Sequence, residues 1–485
     1  MAGVKSLVAV AAVLGALASA KEIPVNMTLK AELYEGGLVH EQIMAVKHRV
    51  WGEMANQNAL SATQHVSFGQ DRDYVACEDG VAALDPSNPL NIFRCHNLDL
   101  YDFKTHAQLG SSARSGAGSW GWTSPEGREF VAIAQEDGTA FAEVTTRGKL
   151  VYLGRLPQYG LAPKSIWREI KGYKSFILIG SEALRHGIQI FDLSKLLGVN
   201  ASSPVVFSNE KDLTGFWVDG LPLGRSHNVV ANEELKYGVA TGFQPRTGHL
   251  KAGMVFFDLT DPANPKTLGG TGVDGYVHDA QCLVYRGPDK KYNGTDICYG
   301  YDEDSLTIFD VSDKKNIRVI SNTSYEGFAY THQGWVLDPQ WQQYLITDDE
   351  YDEFNQTGLA ADGFPVSYIW DISSLEAPKQ TGHYKGLRRG IDHNQYVKDG
   401  FAYQSNYGLG LSILDLRSVP SDPTGKGIKE VAYFDTHPED DNLPGGGNVT
   451  FTGSWSHYPF FPSGFIVINT IDRGAFVVKR SGQED

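Results

Sequence analysis

Leu306-Thr-Ile-Phe-Asp310-Val311 is one copy of a pattern that recurs along the chain, an apolar strand ending on a carboxylate. Ile188-Gln-Ile-Phe-Asp192, Met254-Val-Phe-Phe-Asp258, Tyr368-Ile-Trp-Asp371 and Leu411-Ser-Ile-Leu-Asp415 repeat it. Gly138-Thr-Ala-Phe-Ala-Glu143 is a weaker copy and Gly474-Ala-Phe-Val-Val478 the last, which makes seven. Each is preceded by another apolar strand and a Gly- or Asn-rich turn, as in Phe401-Ala-Tyr-Gln-Ser-Asn-Tyr-Gly408-Leu-Gly410. A turn such as Asp261-Pro-Ala-Asn-Pro265 and a further strand, Lys266-Thr-Leu-Gly269, follow. Four short strands per unit are the mark of a propeller blade, so the pattern predicts an all-β, seven-bladed β-propeller. The recurring Asp reads as a turn carboxylate that accepts backbone N–H bonds.

A propeller must close its ring so that no edge strand stays unpaired. The alternating run Asn97-Leu-Asp-Leu-Tyr-Asp-Phe103, ahead of the first blade, predicts the closing strand. Earlier still, Ile43, Val46, Val50 and Met54 stand at helical spacing, which predicts a short amphipathic helix packed on the propeller. The expected organisation is a signal peptide over 1–20, a partly helical extension over 21–75, the propeller over 76–480 and a short tail over 481–485.

The leader reading rests on Lys5, the apolar run Leu7 to Leu17 and the small residues Ala18-Ser-Ala20. Too short to span a bilayer, the run predicts a secreted, extracellular protein with no membrane span. The polar ending Lys479-Arg-Ser-Gly-Gln-Glu-Asp485 lacks the hydrophobic tail of a lipid-anchor signal. Asn26, Asn200, Asn293, Asn322, Asn355 and Asn448 open Asn-x-Ser/Thr sequons, expected in turn-rich surface settings. The four cysteines fall into two local pairs, Cys77 with Cys95 and Cys282 with Cys298, the simplest of three connectivities. A net charge of −16 without a long basic run speaks against nucleic acid as a partner.

A histidine stands at the start of five successive blades: His227, His278, His332, His393 and His457. The first two blades carry aromatics near that point, Trp120 and Trp122, then Trp167 in Trp167-Arg168-Glu169. Innermost strands line the axial channel, so these side chains are expected to converge there. Three readings stay open. The imidazoles hold a transition metal such as zinc, copper or iron; they act as general bases with Glu169, Asp279 or Asp392; or each bonds a neighbouring blade's backbone. The acidic run Asp348-Asp-Glu-Tyr-Asp-Glu353 has oxygen ligands for calcium but not the spacing of a helix-loop-helix calcium site, and reads as a solvated loop. No nucleophile elbow, phosphate loop or dinucleotide fingerprint stands in the right context.

Ser165-Ile-Trp-Arg-Glu169, Tyr276-Val-His-Asp-Ala-Gln-Cys282, Tyr330-Thr-His-Gln-Gly-Trp335, Ile391-Asp-His-Asn-Gln395 and Ala432-Tyr-Phe-Asp-Thr436 resemble the choice-of-anchor B family, whose units are similar to the LVIVD repeat. The resemblance runs from about Cys77 to Lys479 and implies a secreted or surface-attached propeller, with no reaction or ligand attached to it. The functional expectation is a secreted glycoprotein propeller that binds an extracellular ligand or protein partner. The alternative is a metal-dependent enzyme, an oxidoreductase among the options, built on the axial histidines.

Overall fold

The computed structural model describes residues 20–61, 68, 69, 72–161 and 163–482, and the side chains of all of these but 56–61. The leader over 1–19 and the last three tail residues lie outside the described residues. Seven sheets form, one per predicted unit, antiparallel except where the short strand Val205–Val206 joins one edge in parallel, and they make a seven-bladed propeller. The innermost strands are Gly116–Thr123, Arg168–Tyr173, Asn228–Asn232, Asp279–Val284, Thr331–Val336, Gln395–Lys398 and Ser454–Tyr458. We number the blades 1 to 7 in that order.

The recurring carboxylate does what its position suggests. Asp192, Asp258, Asp310, Asp371 and Asp415 each accept the backbone N–H two residues on, at 2.7–3.1 Å. Each bond turns the chain from the third strand toward the fourth. Asp258→Ala and Asp371→Ala are each expected to cost about 1 kcal/mol. They sit in different blades, so urea unfolding of the double variant should give nearly the sum.

The ring closes as the alternation predicts. Leu98–Thr105 pairs with Gly474–Arg480 and completes blade 7, with Phe103 opposite Phe476 and Leu100 opposite Val478. The strand before it, Ile92–His96, adds to the outer edge of blade 6, so one N-terminal segment ties the last two blades. Both disulfides form as paired locally in the sequence, Cys77–Cys95 and Cys282–Cys298. No helix among the described residues is long and apolar enough to cross a membrane.

The N-terminal helix is longer than its apolar spacing suggested, Leu38–Ser61. It lies across the channel mouth at the end where the innermost strands begin. Ile43, Val46 and Met54 pack against the blades, yet polar groups hold the helix as much as apolar ones do. His40 Nδ1 is 2.8 Å from the Tyr330 hydroxyl, Lys47 Nζ donates to Glu350 Oε1 at 2.5 Å, and Trp51 Nε1 donates to the Phe451 carbonyl at 2.8 Å.

Candidate metal centre

Under that helix four of the five predicted histidines form an arc. Ring centroids step from His227 to His278 at 4.3 Å, to His332 at 4.3 Å and to His393 at 4.4 Å. All four are buried. In each ring Nδ1 is already engaged: His227 with Glu182 Oε1 at 2.5 Å, His278 with the His332 carbonyl at 2.8 Å, His332 with Asp348 Oδ1 at 3.1 Å and His393 with the Trp455 carbonyl at 2.7 Å. An imidazole tied at Nδ1 to a carbonyl or carboxylate has its orientation fixed and turns Nε2 outward as the ligand nitrogen.

One nitrogen of His278, one of His332 and one oxygen of Glu350 lie within 4.8 Å of one another. Glu350 Oε1 is also 3.5 Å from His393 Nε2 and accepts the Tyr407 hydroxyl. Its second oxygen, Oε2, is buried without a hydrogen-bond partner. Burial holds the imidazoles of His278 and His332 well below their ordinary pKa, and that of His393 at about 4. They are therefore neutral at physiological pH, the form that binds metal. Burial alone would raise Glu350, but the Lys47 ammonium beside it outweighs burial and lowers it, so the carboxylate is ionised.

Two neutral imidazoles and a carboxylate are a donor set suited to zinc or iron(II). Ligands about 2.1 Å from one ion in a tetrahedron stand about 3.4 Å apart. The trio would have to draw in from its present spread. Lys47, whose ammonium now neutralises Glu350, would have to withdraw from a dication.

His457 is a correction. It does not join the arc: its Nδ1 meets Ser405 Oγ at 2.8 Å and its ring packs against Tyr396. A bulge between Ser454 and Ser456 shifts the register of blade 7 and swings Trp455 to the mouth instead, 5.1 Å from the His393 ring. A matching bulge lies between Thr331 and Gly334, and His332 stands in it at the position that Trp455 holds in blade 7.

Among the predicted supporting residues, Trp167 lies at the mouth, its ring tilted against Trp51 with centroids 4.7 Å apart, and Glu169 faces the channel, its Oε1 accepting the Trp455 indole N–H. Asp279 accepts Gln333 Nε2 at 3.0 Å. Arg168 points away from the channel: it binds the Gln135 carbonyl at 2.9 Å and His186 Nε2 at 2.6 Å, joining blades 1 and 2. Asp392 is fully buried, and burial with Asp348, Asp352 and Asp349 nearby raises it well above the ordinary carboxylate range. Trp120 and Trp122 lie at the other end of the channel.

The run Asp348 to Glu353 is a second correction, because it is not solvated. Asp348, Asp349, Glu350, Asp352 and Glu353 are all fully buried. Asp349 alone accepts the backbone N–H groups of Ala329 and Tyr330 and the Tyr325 hydroxyl. Glu350, Lys47, His40 and Glu182 are site residues that the histidine series did not single out. One signal for two of them lies in the repeat: Glu182 and Glu350 each stand directly after the second strand of a blade, at Ser181 and Asp349.

No protein-family model matches the chain. No curated protein matches it either. Among solved structures, the computationally designed Ika8 protein is similar at 10% identity, with a TM-score of 0.40 over 72% of this chain and 80% of that one. A likeness of that size carries no argument about function.

Proposed function

We propose that this chain is a secreted, metal-binding β-propeller of the choice-of-anchor B type, holding one transition-metal ion between His278, His332 and Glu350. The supporting observation is that these three donors lie within 4.8 Å while both imidazoles are fixed through Nδ1. His393 stands next to them as a further nitrogen donor. The Nδ1 bond of His278 runs to the backbone of the next blade, which fits blade stacking as well as ligand orientation; the convergence on a carboxylate is what favours metal.

Protein purified without chelators is expected to carry stoichiometric zinc, copper or iron by elemental analysis. His278→Ala and His332→Ala should lose it while keeping the native circular dichroism. Asp348→Asn, which changes the group that His332 leans on and that also meets the Gln333 N–H and Gln395, should weaken the metal about 10–100-fold in a chelator competition. Metal-free protein with no affinity for these ions would overturn the reading.

Secretion has its own check. Asn26, Asn200, Asn293, Asn355 and Asn448 are exposed. Asn322 is not in an open turn: it lies within the strand Arg318–Ser324, and its Nδ2 donates to Asp274 at 2.6 Å. Glycopeptide mapping of secreted protein is expected to find glycans on the first five and none on Asn322.

A further inference from the structure

The innermost strands run from the helix-capped mouth to a second opening, where they end around a cavity of about 780 Å³. That volume suits a drug-sized molecule. Its wall is dominated by aromatic rings, Trp120, Trp122, Trp335, Tyr458 and Phe460, which belong to blades 1, 5 and 7. No element of the chain caps this end as the N-terminal helix caps the other, among the described residues. Lys171 lines the cavity too, on the innermost strand of blade 2, and is only 5% exposed.

We infer that this cavity binds a small anion with an extended aromatic body, its carboxylate or sulfonate paired with Lys171. The ammonium carries three N–H donors. Its hydrogen bond is to the Tyr396 hydroxyl at 3.1 Å, and it lies 5.6 Å from the Trp120 ring centroid. The nearby carboxylates make their hydrogen bonds to other groups, Asp279 with Gln333 and the Ala280 N–H, Glu169 with the Trp455 indole, and act on the ammonium only through space. Burial alone would lower the Lys171 pKa, but Tyr396, Asp279 and Glu169 together raise it, so the group stays charged.

The lining also excludes the obvious competitors. Among the residues that line the cavity, Lys171 and Lys174 outnumber the one carboxylate, Glu233, which disfavours an organic cation. A sugar would need several polar side chains between the rings, and Gln281 already spends its carbonyl on the Val336 N–H at 2.9 Å. Flat rings on aromatic walls with one buried cation define an aromatic acid. The inference does not depend on the metal centre.

The test uses 1-pyrenebutyrate and its neutral counterpart 1-pyrenebutanol, followed by pyrene fluorescence and calorimetry on the full chain. The carboxylate is expected to bind about 10–100-fold more tightly than the alcohol, the worth of a charge-assisted hydrogen bond. Lys171→Met should abolish that preference, and Trp335→Ala should weaken both ligands about 2–10-fold. Should Lys171→Met fail to fold, the two ligands on the unaltered protein still decide the matter. Equal affinity for the two, or binding indifferent to Trp335→Ala, overturns the inference. So does binding of cellohexaose at this cavity in place of either pyrene.

Discussion

Replacing Lys47 with methionine is expected to cost about 3–5 kcal/mol in metal-free buffer, the price of leaving a buried carboxylate without its cation. Lys47 Nζ lies 2.5 Å from Glu350 Oε1, and the two side chains are 3% and 0% exposed. Without the ammonium, Glu350 retains only the Tyr407 hydroxyl and the neighbouring His393. Zinc should then restore what the lysine supplied, because a dication at Glu350 no longer meets a resident positive charge. At 100 times the dissociation constant the ion adds about 2.7 kcal/mol. The expected signature is a Lys47→Met protein that is less stable than the parent in EDTA, binds zinc more tightly than the parent, and regains most of its stability with it. Adding Glu350→Gln should relieve the loss and remove the response to zinc. If zinc leaves Lys47→Met as unstable as before, the pair is a structural ion pair and the metal centre falls.

The second large effect concerns pH, measured in EDTA so that metal does not enter. Burial holds His40 and His457 at about 3, His106 at about 4 and His186 well below the ordinary value of 6.5. Such a histidine binds its proton more readily unfolded, so its contribution is complete above pH 6.5 and is lost as pH falls toward the folded value. Burial pushes Asp302, Glu353 and Asp435 the other way, well above the ordinary carboxylate range. Those acids stabilise the fold at low pH, and that contribution is lost as pH rises through their raised values.

Each group is worth about 1.4 kcal/mol per pH unit inside its window. Between the ordinary carboxylate value near 4 and the ordinary histidine value of 6.5 the two sets oppose each other, so stability changes less steeply with pH there than either set alone would make it. Above that interval the imidazoles add no further slope, and the raised acids set the direction. Below it only the imidazoles act, joined by Glu182 and Asp137. Burial opposes ionisation of both carboxyls, but the His227 hydrogen bond at Glu182 and the Ser112 N–H and Arg155 at Asp137 hold them at about 2. Thermal melts are expected to show a shelf at mildly acidic pH with stability falling on either side. Stability that climbs steadily to pH 8 would contradict this balance of buried groups.

The blade count, the turn role of Asp310 and its equivalents, and the closing strand were legible because each is local. They depend on an alternating pattern and a turn residue a few positions apart. The arc of His227, His278, His332 and His393 was legible for a related reason, since repetition places equivalent residues at equivalent radius. In blade 7 the histidine is not the equivalent residue: Ser454 starts the strand as Thr331 does in blade 5, so Trp455 holds the place of His332 and His457 lies two residues beyond it. Lys47 and Glu350 were out of reach in another way. They are 303 residues apart, and a lysine on a helix beside apolar neighbours looks like a solvated residue until its partner is known. The acidic run misled for the same reason, because Asp349 is buried by bonds to backbone N–H groups that no sequence displays.

The closing strand also sets a timetable for synthesis. Leu98–Thr105 is made early, yet its partner Gly474–Arg480 is the last strand of the propeller in chain order. At typical elongation rates the wait is on the order of 20 to 75 s. During that interval Ile92–His96 and Leu98–Thr105 are bare strand edges, able to pair with the wrong blade or with another nascent chain. Cys77–Cys95, which can be oxidised long before the ring closes, fastens that waiting segment to itself. The bond that looks like a minor local staple in the finished molecule is therefore placed to protect the nascent one.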